Sequence, residues 1–380
     1  MGVRTVLLTL GRLPVGLEIA RSFADAGWQV IVAETRSMHL CRTSRSVDQC
    51  LRVPAPQANP VAFRDAISRI IRDARVDIVV PVSEETPYVA ALQRSDFPGT
   101  RFFCASASDV VKLHDKLEFN QTAASMGLPV PRSWAGDRAA EASASGSRLV
   151  AKPRFACSGR GVRYYSAGQV PQTDRADVIQ TEVHGALYST CGIARDGRIL
   201  ANAIYRARVL SGSVAVAFER LESAPDIDSW VERFVRESGH TGFVSFDFIV
   251  DHSGVPQAIE CNPRATSGIH FLAPRAVARL LSEPDTSMIP DTQWFRPEFL
   301  LTEAYSCYTA LLAALPRPSE ARRIFNELRA ARDVTWRRDD PWPFLTMTVN
   351  SWPIIFAAAR SRRPFAEVAM TDIEWRPDYD

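Results

Sequence analysis

The pair of segments "GFVSFDFIV" (Gly242–Val250) and "AIECNPRATSGIHF" (Ala258–Phe271) constrains this chain most. The first reads as a buried strand, and the second begins as another. Residues two apart on a strand point to one face, so Glu260 and Asn262 lie together. The link "DHSGVPQ" has hairpin turn chemistry and brings Asp247 beside Glu260. A carboxylate taken from water without a partner is costly, so this face has to meet positive charge. Two carboxylates and an amide oxygen form an all-oxygen set suited to Mg²⁺. Arg264, two residues beyond Asn262, can reach a phosphate carried by that metal. On these residues alone, a carboxylate paired with arginine in an ordinary core reads equally well.

The chain before this pair alternates. "RTVLLTL", "WQVIVAE" and "DIVVPVSEE" read as strands, and "LEIARSFADAG" and "NPVAFRDAISRIIRDARV" as helices. That alternation predicts a parallel, doubly wound sheet. The turn "GRLPVG" lacks the GxGxxG of dinucleotide-binding folds, which argues against a nicotinamide oxidoreductase. It reads as a tight strand-to-helix turn lining a cleft. With 380 residues, two or three domains are expected. We place them at 1–105 (α/β), 106–290 (with a small lid at about 130–182) and 291–380, a mostly helical extension rich in Arg, Trp and Pro.

Only three of the 45 basic residues are lysines: Lys112, Lys116 and Lys152. A lysine kept in an arginine background points to a need for a compact ammonium. Lys152 ends the strand "RLVAKP" directly before "ACSGRGV", where Ser158, Gly159 and Gly161 let backbone N–H groups approach phosphate oxygens. Lys116 falls on the helix "SDVVKLHDKLEFNQTAASMG", one turn beyond Lys112, which reads as a solvated neighbour.

Taken in order, "HDKLEFNQTAASMGLPVP", "VAKPRFACSGRGV", "VIQTEVHG", "FDFIVD" and "AIECNPR" resemble the ATP-grasp ligases. The resemblance covers roughly residues 1–285 and implies an ATP-grasp fold behind a Rossmann-like parallel α/β domain. It implies that Lys116 and Lys152 contact ATP phosphates and that Asp247, Glu260 and Asn262 hold Mg²⁺, for which Mn²⁺ can substitute. It makes Arg264 a contact of the transferred phosphoryl group, and Gln180, Thr181, Glu182 and Val183 the hinge that bonds adenine. The family often has an acidic residue after the hinge glycine, for the ribose. Here Ala186 and Leu187 stand there, leaving Glu182 as the candidate.

The implied reaction is ATP-dependent joining of a carboxylate to an amine through an acylphosphate. The alternatives are a carboxylase or carbamoyl-phosphate-type activation, and a non-catalytic ATP-binding protein. Substrate contacts are expected from Glu84 and Glu85 at the end of a strand, or Glu84 and Glu85 cap the next helix. Ser267 and His270 follow the metal strand and are candidates to face the acid. The expected partners are small molecules and a second copy of the chain. A net charge of +2 gives no reason to expect nucleic acid. Phe344–Ala359 is shorter than the roughly 18 residues of a spanning helix, so no membrane is expected. Val6–Leu10 is too short for a signal-peptide core, and the seven cysteines form no CxxC pair. A cytoplasmic location is expected.

Overall fold

The computed structural model describes residues 2–156, 159–211, 214–283, 294–303, 310–311, 313–363 and 365–376. The first sheet is all parallel, in the order β3-β2-β1-β4-β5: β1 (Thr5–Leu8), β2 (Gln29–Glu34), β3 (Gln49–Arg52), β4 (Ile78–Val80) and β5 (Arg101–Phe102). The strands β1, β2 and β4 lie where the alternation predicts them. Helices α1 (Pro14–Asp25) and α2 (Pro60–Asp73) begin at prolines, whose missing N–H is no loss in a first turn.

The turn after β1 is tight for a packing reason. A Cβ on Gly11 would stand 2.6 Å from a Val32 methyl and 2.7 Å from His39. The notch so formed is filled by the chain itself. Arg12 pairs with Glu34 at the end of β2 and with Asp372 near the C-terminus. The turn is therefore tied to the C-terminal region through Arg12.

Helix α3 (Thr86–Ala90) follows β4. The helix expected across Lys112 and Lys116 is broken in two, α4 (Ala107–His114) and α5 (Lys116–Ser125). Asp115 is the cause. It leaves helical geometry at ψ 111° and caps α5 with its carboxylate, which accepts from the N–H of Leu117 and Glu118. Lys112 stays exposed and Lys116 becomes buried.

A four-stranded sheet runs in the order β6-β9-β7-β8: β6 (Ser133–Ala135), β7 (Leu149–Pro153), β8 (Arg163–Tyr165) and β9 (Asp177–Thr181). A short helix, α6 (Ala139–Ser143), packs on it. The large sheet comprises β10 (Gly185–Arg195), β11 (Arg198–Ser211), β12 (Val214–Arg220), β13 (Gly242–Asp251), β14 (Pro256–Asn262), β15 (Leu300–Thr302) and β16 (Arg332–Asp333). Its order is β14-β13-β10-β11-β12-β15-β16. The mostly helical C-terminal region thus also adds two short strands to this sheet. Among the described residues, no helix is long and apolar enough to cross a membrane.

On β13, Phe246 and Phe248 alternate with Asp247 and turn to the opposite face. They pack under the sheet with Phe119 of α5 and with Trp230 and Phe234 of α7 (Pro225–Ser238). Trp230 meets Phe246 edge-on at 5.1 Å and stacks on Phe234 at 5.4 Å. Phe246 is fully buried, so Phe246→Ala should cost about 3–5 kcal/mol of stability. Val61→Ala, at an exposed position, should stay within about 0.5 kcal/mol. Urea unfolding followed by tryptophan fluorescence checks both.

Candidate active site

The hairpin of β13 and β14 pairs Asp247 with Glu260 and Ser245 with Asn262, so the expected polar face forms. The register slips by one residue after Asp247, leaving Ile259 as the extra residue of a bulge. That bulge has a use. The Ile259 carbonyl accepts a hydrogen bond from the Lys152 ammonium at 3.0 Å. Asp247 also accepts from the Ser189 hydroxyl of β10 at 2.5 Å. Sequence reading missed Ser189, because nothing in "LYSTCG" distinguishes it until β10 pairs with β13.

Lys116 lies at the first residue of α5, donates to the Ala156 carbonyl at 2.7 Å and stands 3.6 Å from Glu260. Both lysines, which are buried, and both carboxylates, which are half-buried, are thus gathered in one cluster. Burial lowers the Lys152 ammonium to about 8 against the pull of Glu260. Burial and the adjoining Glu260 push the Asp247 carboxyl up to about 7. Burial would also raise Glu260, but Lys116 and Lys152 overcome it and hold that carboxyl low. The cluster is short of positive charge at Asp247, a deficit a bound cation would fill. Among the described residues, no three His, Cys, Asp or Glu side chains converge as a closed metal site. Two carboxylates and the Asn262 amide oxygen instead suit an ion that completes its shell with water and phosphate oxygens, as Mg²⁺ does.

Between β7 and β8 lies the small-residue loop. Gly159 and Gly161 adopt positive φ of 66° and 75°, and Gly161 packs so close that a Cβ would stand 2.9 Å from the Pro153 ring. Ser158, the third residue expected there, lies outside the described residues, as does Cys157. Arg160 of this loop pairs with Glu374 and reaches Glu367 at 3.5 Å. Sequence reading missed this link, since the partners are more than 200 residues away.

The expected hinge falls at the end of β9. Gln180 is buried in the four-stranded sheet, and its side-chain nitrogen lacks a partner. The Thr181 and Glu182 N–H groups donate to the Arg132 and Arg148 carbonyls, each at 2.9 Å. The Glu182 carboxylate is held by Arg148 at 2.6 Å and lies 3.6 Å from His184. Val183 is half-buried between the two sheets' strands.

Arg264 sits 2.7 Å from Glu84 and 3.2 Å from the Asn262 amide oxygen. Glu84 also lies 3.3 Å from His114. Burial would raise the Glu84 carboxyl, but Arg264, His114 and Lys116 hold it below its ordinary value. Burial lowers the His114 imidazole. The first domain therefore reaches the cluster through Glu84. Glu85 does something else. Its carboxylate accepts from the Val82 N–H at 2.7 Å, the Ser83 N–H and the Thr9 hydroxyl, closing its own turn. Both acids expected as substrate contacts are thus held by protein groups.

Ser267 and His270 form the turn Ser267–Phe271. His270 is buried against Glu18 of α1 at 3.2 Å, and Glu18 also pairs with Arg296. The structure therefore sends His270 toward α1, apart from the lysine–carboxylate cluster.

Residues 113–268 match the ATP-grasp domain family, so this chain carries an ATP-grasp domain. In sequence it is 24% identical over 244 residues to the carbamoyl phosphate synthase large chain of Deinococcus radiodurans. That match covers 56% of this chain and 23% of the relative, so the chain spans about a quarter of that protein. In structure it is similar to the biotin carboxylase domain of the Hydrogenobacter thermophilus 2-oxoglutarate carboxylase, with a TM-score of 0.61 at 14% identity over 78% of this chain and 73% of that one. It is similar to an L-amino acid ligase from Bacillus licheniformis, with a TM-score of 0.58 at 14% identity over 77% of each chain. It is also similar to the N5-carboxyaminoimidazole synthetase of Staphylococcus aureus, with a TM-score of 0.54 at 12% identity over 71% of this chain and 72% of that one. These likenesses show the fold.

The cluster has a testable sign. An acid whose folded-state value is raised costs stability once it ionises, so the penalty grows as pH climbs from about 4 to about 7. Asp247→Asn cannot ionise. Without nucleotide or metal it should raise the melting temperature relative to wild type more at about pH 8 than at about pH 5. Thermal scans in a chelator check this, and equal shifts at both pH values would show an ordinary carboxyl.

Proposed function

We propose that this protein is an ATP-dependent carboxylate–amine ligase that forms an amide or peptide-like bond and releases ADP and phosphate. The observation carrying this reading is the convergence of Lys116, Lys152, Asp247, Glu260 and Asn262 in one half-buried cluster, with Arg264 at its edge.

The obstacle in such a reaction is the approach of one anion to another. Lys152, at the end of β7, and Lys116, at the start of α5, are placed to neutralise ATP phosphates. Asp247, Glu260 and Asn262 are the residues that would hold Mg²⁺ or Mn²⁺. When bound, that ion supplies charge neutralisation at the phosphate oxygens. Arg264, steadied by Glu84, is aimed at the transferred phosphoryl group. A carboxylate oxygen of the substrate attacks the γ-phosphorus, and the bond to the ADP oxygen breaks. The amine then attacks the acyl carbon, phosphate leaves, and the amine loses a proton. The loop with Gly159 and Gly161 approaches the phosphates through its backbone and screens the acylphosphate from water. The β9 hinge, from Gln180 to Val183, is the proposed adenine contact.

The proposal assigns Ser267 and His270 to the acid side only at the periphery, given the pairing of His270 with Glu18. A carboxylase-type reaction, with bicarbonate as the acid, is the second reading. The favouring observation is the sequence match to a carbamoyl phosphate synthase chain. We further propose a cytoplasmic enzyme that works as a homodimer. The similar Hydrogenobacter domain is itself described as a dimer.

The three lysines give an internal control. Lys152→Ala should raise the Michaelis constant for ATP and lower turnover, because a charge-assisted phosphate contact is lost. Lys152→Arg should rescue only partly, since a planar fork does not replace a point charge. Lys112→Ala, at an exposed site, should be nearly neutral. Glu260→Gln should abolish ADP formation with the fold intact. The check is steady-state ADP release over panels of acids and amines, with bicarbonate included. Full activity of Lys152→Ala, or equal losses at Lys112 and Lys152, would show that the phosphate site lies elsewhere.

A further inference from the structure

The C-terminal region carries an apolar stripe that the proposed chemistry does not use. Hydrogen bonds from Thr346 N–H to the Trp342 carbonyl and from Asn350 N–H to the Thr346 carbonyl carry one helical path from Trp342 into the helix Met347–Ser361. Along it, Trp342, Leu345, Val349, Trp352 and Phe356 recur at intervals of three and four residues. That spacing places them on one face. Trp342 is 48% exposed, and the other four are 57–59% exposed. The opposite face, with Asn350 and Ile354, is buried against the protein. Trp336 and Phe365 are also exposed nearby.

We propose that this stripe is a docking surface for a second copy of the chain, which pairs its own stripe antiparallel across a two-fold axis. This rests on the homodimer reading above and names the surface that makes it. Three observations favour that occupant. The first is area. At roughly 150–250 Å² for each of the five aromatic side chains, with less for Leu345 and Val349, the seven residues at their fractional exposures present on the order of 700 Å² of apolar surface. That exceeds the usual patch on a monomer and approaches the about 800 Å² that each partner contributes to a standard interface.

The second observation is shape. A two-fold axis between Val349 and Trp352 sets Val349 opposite Trp352 of the second copy, and Leu345 opposite Phe356. It also sets Trp342 opposite Ala359, a small exposed residue. Each large side chain then meets a smaller one, the self-complementarity an isologous contact needs. A parallel pairing would set Trp352 on Trp352 and leave Val349 facing Val349.

The third observation is charge. The stripe has no charged member, and Arg360 is the only charged residue of Met347–Ser361. Antiparallel pairing brings that exposed arginine beside Pro341 of the second copy, two residues from Asp339, which pairs with its own Arg337 at 2.7 Å and keeps a 65% exposed side chain. A helix lying on a membrane would need a polar face rich in Lys and Arg, and here that face is packed on protein.

Sedimentation velocity of the full chain over a concentration series, with and without vesicles of phosphatidylcholine and phosphatidylserine, tests this. Wild type should be a dimer that ignores the vesicles. Trp352→Glu should weaken dimerisation by about 30-fold or more, as loss of a central aromatic anchor does. Trp352→Val should weaken it as well. The double variant Val349→Trp with Trp352→Val should recover it, because the same pair is rebuilt across the axis. Circular dichroism confirms that each variant is folded. A dimer that survives Trp352→Glu leaves the homodimer reading standing and overturns this surface. A monomeric wild type overturns both. Wild type sedimenting with the vesicles would make a lipid surface the occupant and overturn the proposal.

Discussion

The contact between the buried Lys116 and the half-buried Glu260, 3.6 Å apart, is the one on which the rest of the site depends. Glu260 would be untenable on a buried strand without positive charge beside it. The lysine comes from the start of α5, and its counterpart, Lys152, comes from the end of β7. Neither belongs to the sheet that carries the carboxylates. Three separately folded pieces must therefore meet before the charges balance, and the hairpin that carries Asp247 and Glu260 sets where they meet. Even then the balance is incomplete. Partial burial and the adjoining Glu260 push the Asp247 carboxyl up to about 7. A site left short of positive charge suits the cation and phosphates of the proposed reaction.

A second layer of ion pairs ties this cluster to the first domain and to the C-terminus. Arg264 leans on Glu84, at the carboxyl end of β4. Arg12 and Thr35, at the ends of β1 and β2, hold Asp372. Tyr88 meets Trp375 edge-on at 4.9 Å, and Arg160 of the small-residue loop pairs with Glu374. Open parallel sheets leave a crevice at the carboxyl ends of their strands. Here residues 372–375 make these contacts at that end of the sheet, and the same segment touches the small-residue loop through Arg160. The C-terminal region is thus built into the structure around the site, and two of its strands extend the large sheet.

Much of the fold was legible because its signals are local. The alternation of apolar runs with amphipathic helices predicted β1, β2 and β4, and turn residues predicted the β13–β14 hairpin. The short β3 and β5 were not legible. Two to four residues carry too little periodicity, and "QCLR" and "RF" are not apolar runs. The break at Asp115 was missed for a related reason. Helical spacing continues through "KLHDKLEF", and only the cap geometry shows that the carboxylate ends one helix and starts another. Within the site, Asp247, Glu260 and Asn262 could be placed on one face because strand period and turn chemistry suffice. Ser189 and Glu84 could not be placed, since their contacts depend on sheet pairing and domain packing.

By itself, then, the sequence determined the elements and the polar face. Side-chain alternation on a strand depends only on neighbours in the chain, and so does the preference of Asp, Ser and Gly for a turn. The tertiary structure decided which charges answer which. The glutamates of "SEE" look alike in sequence, yet Glu84 turns to Arg264 and Glu85 to the backbone of its own turn. His270 follows β14 by only a few residues, yet it packs against Glu18 of α1. An ion pair forms where burial and distance allow it, and both are set by segments far apart in the chain. That is why the lysines could be singled out from composition, while their separate fates, Lys112 in water and Lys116 against Glu260, were settled only when the chain was folded.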